Sequence, residues 1–436
     1  SKGCITIKFI QWSLPKIKNI YDDNPNLKIH KSLINKMEEL YENCNFHSIE
    51  YTKQTYFNDF KIDLSDDYEI IEEIASGSIG QVYKIKDKKG KIYALKSLHP
   101  NIIHEIIYWE IILKIISYLP IFSRILCYYF PININDFIRD FKLQSDLTNE
   151  SNNLLMFYNN HIDNPYIIIP KLYKFSKNII IMSYEQGEYF RTINISDYMK
   201  NKLVTLFRIF CKNNEINNRL IHGDLHEGNW RVRVEGKNVY IVLYDFGFCW
   251  NLSEKEKDAC ILIDRCFFEI GIRKLNIDNF SKACCEYLKH IVPYQNIKKE
   301  IISYKSKEGG DIRSPNFLIK LILNISRNNN VICNSLILQS VILYLQVINT
   351  FKEYGIIIMM NNKSKDTDTI INHYVSNAKD IINFCETNNI FPEYITFIKD
   401  ELDSYQLFQN EKTLLPLLDK SIQGKIKNIS QLAISK

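Results

Sequence analysis

The change of hydrophobic pattern at Asp67 is the feature that most constrains the fold of this chain. From that residue apolar and polar side chains alternate, which predicts antiparallel strands at Tyr68–Ile74, Gln81–Ile85 and Lys91–Leu98. Helical patterns replace the strands over Ile102–Asn160. A run of strands that gives way to a run of helices predicts an α+β fold with two lobes.

The rest of the chain extends this layout. A strand pair is predicted at Tyr166–Ile169 and Asn178–Ser183, and short strands at Trp230–Val234 and Val239–Tyr244 interrupt a mainly helical second half. The predicted parts are a polar, helix-prone N-terminal extension (1–66), a small antiparallel-sheet lobe with a helical insert (67–185) and a mostly helical lobe (186–436). The extension has no obvious core of its own, although its apolar segment Gly3–Trp12 predicts docking onto another surface.

Composition narrows the class of protein. Apolar residues make up 46% and charged residues 24% of the chain, which are the averages of a soluble globular protein. A net charge of +5 over 436 residues gives no broad basic surface, so we expect no nucleic-acid partner. The 11 cysteines include no CxxC pair. Apolar helical patterns surround Cys260, Cys266, Cys284 and Cys285, so we expect buried thiols in a reducing, intracellular compartment. Because the chain begins at Ser1 rather than methionine, we expect a fragment that lacks any targeting peptide.

One strongly apolar run, Tyr108–Phe130, has the length of a membrane span. It contains Glu110, Lys114 and Arg124 and is broken by Pro120. Charges inside a bilayer are costly, and the run has no clean stretch of about 18 apolar residues. We therefore interpret it as two helices with wide apolar faces that are buried against the rest of the protein.

The segment IASGSIGQVY, Ile74–Tyr83, places small residues between two predicted strands. Small side chains let main-chain amides approach a polyphosphate closely. The candidate phosphate-binding residues are Ala75, Ser76, Gly77, Ser78, Ile79, Gly80 and Gln81. Serine- and glycine-rich hairpins that bind nothing have the same pattern, so this segment is informative only together with other motifs.

A lysine and a glutamate are predicted to meet beside this loop. Lys96 ends the sequence YALK on the next predicted strand, where a lysine can reach the α and β phosphates of a nucleotide. Its candidate partner is Glu150, on a helix predicted over Leu143–Phe157 with Asp146 one turn before it. Taken alone, a strand lysine is usually exposed, and two acids four residues apart usually form a solvated helix face.

The stretch IHGDLHEGNW, Ile221–Trp230, carries the candidate catalytic group. Asp224 and Asn229 are spaced as in the kinase catalytic loop, where the aspartate accepts the hydroxyl proton and the asparagine binds a metal. One predicted hairpin later, Asp245 begins a DFG triplet. Magnesium requires oxygen ligands from separate, well-fixed segments, so Asn229 and Asp245 are the candidate metal ligands. The order of these motifs predicts a kinase-like site for ATP or ADP with Mg²⁺.

Gly223 distinguishes this loop from that of ordinary protein kinases. It stands where those enzymes carry the arginine that binds a phosphorylated activation loop. Little sequence separates DFG from the next predicted helix, so we do not expect switching by phosphorylation of that segment. HGD also occurs in kinases of choline and aminoglycosides, which leaves protein and small-molecule acceptors open at this point.

Together these motifs resemble the UbiB-like, aarF-domain-containing atypical kinases, and the resemblance covers most of the chain. IASGSIGQV resembles the family's alanine-rich loop, and KSLHP (Lys96–Pro100) resembles the segment that follows its strand lysine. QSDLTNESNNL resembles the family's E-x-D helix, with Gln144 in place of the first acid and Glu150 as the partner of the lysine. KFIQ (Lys8–Gln11) resembles the K-x-G-Q motif, with Ile10 in place of its glycine.

The resemblance implies a protein-kinase-like fold in which Lys8 and Gln11 lie across the active site. It also implies Mg-dependent ATPase or phosphoryl-transfer activity on a non-protein substrate, a lipid or membrane surface as partner, and a mitochondrial or membrane-associated location linked to quinone metabolism. Two alternatives stay open. One is a nucleotide-gated scaffold without chemistry, which Ile10 and Gln144 favour. The other is a choline- or aminoglycoside-type metabolite kinase, which does not account for KFIQ or QSDLTNES.

Overall fold

The structure is a computed structural model that describes residues 46–77, 79–118, 134–262, 277–288, 290–308 and 315–329, with single positions between 331 and 343 and between 379 and 400. The chain divides into two compact units, Ser1–Asn362 and Lys363–Lys436. In the second unit the described residues are mainly helical, and Cys385, Phe391 and Ile398 are buried. All elements named below belong to the first unit.

The described part of the first unit combines strands with helices, as the α+β expectation requires. Its strands are β1 (Tyr68–Ser76), β2 (Gly80–Asp87), β3 (Ile92–Leu98), β4 (Ile167–Ile168), β5 (Leu172–Phe175), β6 (Ile179–Ser183), β7 (Leu220–His222), β8 (Trp230–Glu235), β9 (Asn238–Leu243) and β10 (Cys249–Asn251). Its helices are α1 (Ile49–Phe60), α2 (Leu64–Asp67), α3 (Ile102–Tyr118), α4 (Ile134–Gln144), α5 (Leu147–His161), α6 (Asp197–Asn213), α7 (Ile277–Tyr287), α8 (Tyr294–Glu308) and α9 (Pro315–Asn329).

The first three predicted strands are confirmed and form one side of a five-stranded antiparallel sheet. The strand order is β1-β2-β3-β6-β5. One face of this sheet packs against α1 and α2 through Tyr56, Leu64, Tyr83, Leu95 and Ile181, which are all buried. The N-terminal extension therefore shares the core of the sheet from α1 onwards.

Local sequence explains where α1 begins and ends. The Ser48 side chain accepts a hydrogen bond from the Tyr51 amide, which caps the first turn. At the other end Lys61 takes a left-handed conformation, with φ of 61°, and its N–H bonds the Phe57 carbonyl. The helix is thus held at both ends while Tyr56 is buried in its centre.

The predicted pairing of the strands near Ile167 and Ile179 is wrong. β4 pairs in parallel with β9 and belongs to a three-stranded sheet with the order β4-β9-β8. β6 pairs instead with β5, a strand that was not predicted and that lies just before β6 in the chain. A short local hairpin closes more readily than a longer one, so β5 takes the edge of β6 that β4 was expected to occupy.

The helix predicted over Leu143–Phe157 is interrupted at Asp146. The Asp146 carboxylate accepts a hydrogen bond from the Thr148 amide and so caps a new helix, α5, rather than continuing α4. Leu143, expected in the buried stripe, is 48% exposed because it belongs to α4. Glu150 therefore lies in the first turn of α5, and Asp146 precedes the helix instead of sharing its face.

The described part of the apolar run, residues 108–118, is less buried than predicted. On α3, Ile102 and Ile106 are buried, but Ile111 and Ile115 are 53% and 58% exposed because they lie on the other side of the helix. The second predicted helix of this run falls largely outside the described residues. Within those residues, no helix combines the length and apolar character that crossing a membrane requires. Of the cysteines expected in apolar surroundings, Cys260, Cys284 and Cys285 are buried, and Cys266 lies outside the described residues.

A pair of histidines connects the extension to the loop after β1. His47 Nδ1 lies 2.7 Å from His99 Nδ1, and His99 Nε2 lies 2.9 Å from the Gly77 carbonyl oxygen. A carbonyl oxygen only accepts, so His99 Nε2 donates and His99 Nδ1 accepts from His47. His47 Nε2 is then the acceptor for the Thr52 hydroxyl at 2.8 Å. Both rings are neutral in this arrangement.

This histidine pair predicts that acid destabilises the fold. Burial and the neighbouring His99 lower the pKa of His47 to about 4, and burial lowers the pKa of His99. As pH falls below the unfolded pKa of about 6.5, the unfolded chain takes up protons first, so stability present above that pH is lost. We expect the melting temperature to fall between about pH 7 and about pH 5, and to fall less in His47→Gln.

The exposed His104 provides the matched control, since His104→Gln removes a histidine that does not take part in the pair. Melting curves of the three proteins across this pH range test the assignment. Parallel pH dependence in wild type and His47→Gln would contradict it.

Candidate active site

The position of Lys96 on its strand decides which face of the sheet its side chain occupies. Lys96 on β3 is paired with Val82 on β2. Successive strand residues point to opposite faces, so Lys96 lies on the face away from α1, while Leu95 belongs to the core against α1. On its own face Lys96 Nζ is 2.7 and 2.8 Å from the two carboxylate oxygens of Glu150 and 3.1 Å from Asp245 Oδ1. Three of the predicted site residues are thus brought together.

These three charged groups form a largely buried cluster. Lys96 and Glu150 are 7% and 4% exposed. Burial by itself lowers the pKa of Lys96, but the negative charges of Asp245 and Glu150 outweigh burial and raise that pKa above its usual value. Lys96 is therefore a cation at physiological pH. The carboxylate of Glu150, in the first turn of α5, is also favoured by the positive end of the helix.

Asp245 is held in a tight turn directly after β9. Its backbone is left-handed, with φ of 53°, an unusual conformation for a residue with a side chain. The Gly247 amide donates to Asp245 Oδ1 at 3.3 Å, and Asn153 Nδ2 on α5 donates to the Phe246 carbonyl at 2.9 Å. Phe246 is buried, with its ring centroid 5.2 Å from that of Phe157. The turn that presents Asp245 is therefore anchored to the same helix as Glu150.

The loop after β7 presents Asp224 and Asn229. Asn229 Nδ2 donates to the Asp224 carbonyl at 2.9 Å, and the Tyr244 amide donates to the Asn229 carbonyl at 2.9 Å. The Asp224 amide donates to His222 Nδ1 at 3.3 Å. These main-chain bonds fix both predicted residues to the strand that ends just before Asp245.

The two histidines of the loop are structural. His222 Nε2 donates to the Tyr244 carbonyl at 3.0 Å, which leaves Nδ1 to accept from the Asp224 amide. Burial lowers the pKa of His222, in agreement with a neutral ring. His226 Nδ1 accepts from the Gly228 amide at 3.0 Å and caps the short turn Glu227–Asn229. His226 Nε2 also lies 3.7 Å from Asp224 Oδ1.

The packing of Trp250 explains why residue 223 is glycine. The Gly223 amide donates to the Phe248 carbonyl at 2.7 Å, which brings the segment after DFG against the loop. A Cβ at Gly223 would overlap the Trp250 ring and stand 2.8 Å from Phe248 Cδ1. No side chain fits where protein kinases carry an arginine. After β10 the chain is helical again over residues 254–262, so the segment after DFG is short, as predicted.

The candidate phosphate loop joins β1 to β2. Ala75 and Ser76 form the end of β1, Gly80 begins β2, and the Gly77 amide donates to the Gly80 carbonyl at 2.9 Å. The His99 amide donates to the Ile79 carbonyl at 2.9 Å. A Cβ at Gly80 would be 2.7 Å from the Ser97 carbonyl oxygen, so this close approach to β3 requires glycine.

Gln81 is the candidate that the structure places away from Lys96. It pairs with Ser97 on β3, one position along from the pair of Val82 and Lys96, so its side chain lies on the α1 face. There it is fully buried, and its amide bonds the His47 amide and the Tyr83 hydroxyl at 2.8 Å each. The expectation from the sequence concerns the main-chain amides of this loop, so for Gln81 it stays a prediction that does not involve the buried side chain. Ser78, Lys8 and Gln11 lie outside the described residues.

Sequence reasoning missed the segment that links the two lobes. Residues 184–187 follow β6, and two of their carbonyls are bonded by side chains of the second lobe. Tyr244 Oη donates to the Glu185 carbonyl at 2.7 Å, and Arg233 Nε donates to the Gln186 carbonyl at 2.8 Å. Contacts between main-chain carbonyls and distant side chains leave no pattern in the sequence, so nothing pointed to them.

The chain is similar in sequence to one protein family and to two curated proteins. A family model described as the ABC1 atypical kinase-like domain matches residues 39–269, more than half of the chain. The chain is 30% identical over 255 residues to a Dictyostelium discoideum protein named probable serine/threonine-protein kinase abkC, a match that covers 53% of this chain and 33% of that protein. It is 24% identical over 197 residues to AarF domain-containing kinase 1 of Drosophila melanogaster, covering 42% of this chain and 36% of the relative. The chain thus matches about a third of the length of these curated relatives.

Two solved structures that match much of the chain share little sequence with it. The Rv3197–erythromycin complex from Mycobacterium tuberculosis has 14% identity and a TM-score of 0.43, covering 72% of this chain and 87% of that one. The Rio2 kinase–ADP/Mg²⁺–phosphoaspartate complex from Chaetomium thermophilum has 14% identity and a TM-score of 0.29, covering 74% and 96%.

The buried cluster predicts that neutralising Glu150 lowers the free energy of unfolding strongly. Glu150→Gln leaves Lys96 buried with less compensation, and breaking a buried pair costs about 3 kcal/mol in the free energy of unfolding. Denaturant unfolding measures this loss. The double variant Lys96→Met with Glu150→Leu should lose less than the sum of its two single changes, because neither buried charge is left without its partner and the remaining Asp245 side chain is 41% exposed. The exposed pair of Lys84 and Glu72 gives the control, Glu72→Gln, and equal losses in Glu150→Gln and this control would contradict the assignment.

The packing at Gly223 predicts a clash that a second substitution relieves. Gly223→Ala places a methyl group against the Trp250 ring, and overpacking of this kind costs about 1–3 kcal/mol. Trp250→Leu in the same chain should restore most of that stability, while Trp250→Leu alone shows the cost of losing the ring. Thermal unfolding of the three variants tests this coupling. Additive effects of the two substitutions would show that the ring does not exclude a side chain at residue 223.

Proposed function

Because the chain belongs to the ABC1 atypical kinase-like family, we propose that it binds ATP or ADP with Mg²⁺ and acts as an atypical kinase or ATPase. The observation that carries the proposal is the cluster of Lys96, Glu150 and Asp245. A buried lysine held by two carboxylates, one of them beside a catalytic-type loop, suits a polyphosphate site better than a merely structural ion pair.

The donor atoms of the site fit magnesium. Asn229 uses its amide nitrogen as a donor to the Asp224 carbonyl, which leaves the amide oxygen as the atom that would bind a cation. Asp245 supplies a carboxylate whose side chain is 41% exposed. An amide oxygen and a carboxylate from two well-fixed segments are the hard oxygen ligands that Mg²⁺ prefers. When bound, the ion supplies neutralisation of negative charge on the polyphosphate.

The chain's own groups would then position the reactants. Lys96 is a fixed cation for the phosphates, and the loop from Ala75 to Gly80 offers main-chain amides above them. Asp224 would accept the proton of an acceptor hydroxyl or of water. As it does so, the oxygen of that hydroxyl or water forms a bond to the terminal phosphorus, and the bond from this phosphorus to the leaving phosphate breaks. Because the surrounding main-chain bonds fix these groups in advance, positioning and electrostatics supply most of the rate.

We propose a small molecule or lipid, rather than a regulated protein, as the acceptor. The ring of Trp250 occupies the space beside Gly223, and the segment after DFG is short. This leaves no place for the arginine and long loop through which protein kinases are switched. A lipid or membrane surface is the proposed partner, supported by Ile111 and Ile115 of α3, which are more than half exposed. The link to quinone metabolism and a mitochondrial or membrane-associated location rest on the family resemblance, as does a role of Lys8 and Gln11 across the site.

The proposed function predicts that nucleotide binding requires Mg²⁺ and that turnover requires Asp224. Thermal shift with ATP should be larger with Mg²⁺ than without it, and this difference should disappear in Asp245→Asn. Asp224→Asn should keep the shift but lose about 10²–10⁴ in the rate of phosphate release, because a general base is removed. The thermal shift measures nucleotide binding and phosphate release measures turnover, so the two are recorded on the same variants.

Three outcomes separate the alternatives. A shift without phosphate release, with or without lipid vesicles, would favour a nucleotide-gated scaffold. Release stimulated by choline or an aminoglycoside would favour a metabolite kinase. ATP hydrolysis that is unchanged in Asp224→Asn would contradict the role of Asp224 as the proton acceptor.

A further inference from the structure

Tyr244 connects the linker between the lobes to the candidate metal site. It is the residue directly before Asp245, and its hydroxyl donates to the Glu185 carbonyl at 2.7 Å. Glu185 lies two residues after the end of β6, at the start of the linker. One side chain thus joins two segments that are 59 residues apart in sequence.

The main chain of Tyr244 is bonded to the catalytic-type loop on both sides. Its amide donates to the Asn229 carbonyl at 2.9 Å, and its carbonyl accepts from His222 Nε2 at 3.0 Å. All three polar groups of Tyr244 are therefore hydrogen-bonded. The hydroxyl bonds the linker, the amide bonds a candidate metal ligand, and the carbonyl bonds the histidine that holds Asp224. A shift of the linker would be transmitted through one rigid residue to Asp245.

The linker is fixed a second time by Arg233 on β8. Arg233 Nε donates to the Gln186 carbonyl at 2.8 Å, and its Nη2 lies 2.7 Å from Glu185 Oε2. Arg233 contacts no residue of the catalytic-type loop through these bonds. The linker therefore has one anchor that leads to the metal site and one that does not.

The sheet face beside Lys96 leads toward this linker. Ala94 lies two residues before Lys96 on the same face of β3 and pairs with Met182, the residue before the end of β6. Both are buried, and a small and a flexible apolar side chain suit the flat ring of a nucleobase. A nucleotide with its phosphates at Lys96 would place its base along this surface, next to residues 184–187.

We propose that Tyr244 is a positioning residue that couples the base-binding side of the cleft to the metal-binding side, so that nucleotide and Mg²⁺ each strengthen binding of the other. This inference rests on the proposed function, because it requires both ligands to bind at the cleft. Coupling of this kind is reciprocal: a linker ordered by a base holds Asp245 and Asn229 in place, and a bound cation holds the linker. Burial raises the pKa of Tyr244, so the phenol remains a neutral donor across the physiological range.

The test compares ADP binding with and without Mg²⁺ in the whole chain, measured by calorimetry. Tyr244→Phe removes only the hydroxyl and should reduce the enhancement of ADP affinity by Mg²⁺ about tenfold, the loss expected for one hydrogen bond. ADP affinity without Mg²⁺ should fall no further than in Arg233→Leu, because each variant leaves one anchor of the linker in place. Arg233→Leu should weaken ADP binding by the same factor with and without Mg²⁺, because the bonds of Arg233 to the linker do not extend to the metal site.

Tyr240→Phe is the matched control, since Tyr240 lies on β9 just before Tyr244 and its hydroxyl has no hydrogen bond within the described part of the chain. A Tyr244→Phe chain that keeps the full Mg²⁺ enhancement overturns the inference and leaves the proposed function standing. A wild-type chain whose ADP binding does not depend on Mg²⁺ overturns both.

A second measurement needs no variant. Hydrogen exchange of wild-type chain saturated with ADP should show slower exchange at residues 184–187 when Mg²⁺ is added, because the cation orders the linker through Tyr244. Unchanged exchange at these residues on addition of Mg²⁺ overturns the coupling, whatever the folding of the variants.

Discussion

The buried cation of Lys96 is the interaction on which the rest of the site depends. Its partners Glu150 and Asp245 lie 54 and 149 residues away in sequence. A lysine removed from water is tolerated only when opposite charges and hydrogen bonds replace its hydration. The sheet, the start of α5 and the turn after β9 must therefore be in place together, so the fold and the site are specified by the same contact.

Around this cluster, the loop that carries Asp224 is held by hydrogen bonds to its main-chain groups. Asn229 bonds the Asp224 carbonyl, Tyr244 bonds Asn229, and His222 bonds both Tyr244 and Asp224. The candidate catalytic residue and the candidate metal ligand are thus positioned by bonds to each other, to Tyr244 and to His222. This arrangement reduces the reorganisation that a reacting complex would need, which is the main way in which a phosphoryl-transfer site accelerates its reaction.

Sequence alone could predict the meeting of Lys96 and Glu150, because each stands at a motif with a defined place on a strand or a helix. It did not predict the bond of Lys96 to Asp245, which the sequence assigned to the metal together with Asn229. It could not predict the side to which Gln81 points, since strand parity assigns a face only once the register with β3 is known. The break at Asp146 was missed because a capping aspartate and an interior helix residue look alike when the pattern continues on both sides. The contact of Tyr244 with Glu185 joins a side chain to a main-chain carbonyl, and hydrophobic periodicity carries no information about such pairs.

The described end of the N-terminal extension, from residue 46 onwards, is part of the site's architecture. Tyr56 of α1 completes the core on one face of the sheet, while Lys96 stands on the other. His47 contacts His99, and His99 bonds the Gly77 and Ile79 carbonyls of the candidate phosphate loop. A loop that lacks bulky side chains gains its order from these main-chain bonds. The segment after Asp245 is short, and the contacts of His47 and His99 link a peripheral part of the chain to the candidate phosphate loop.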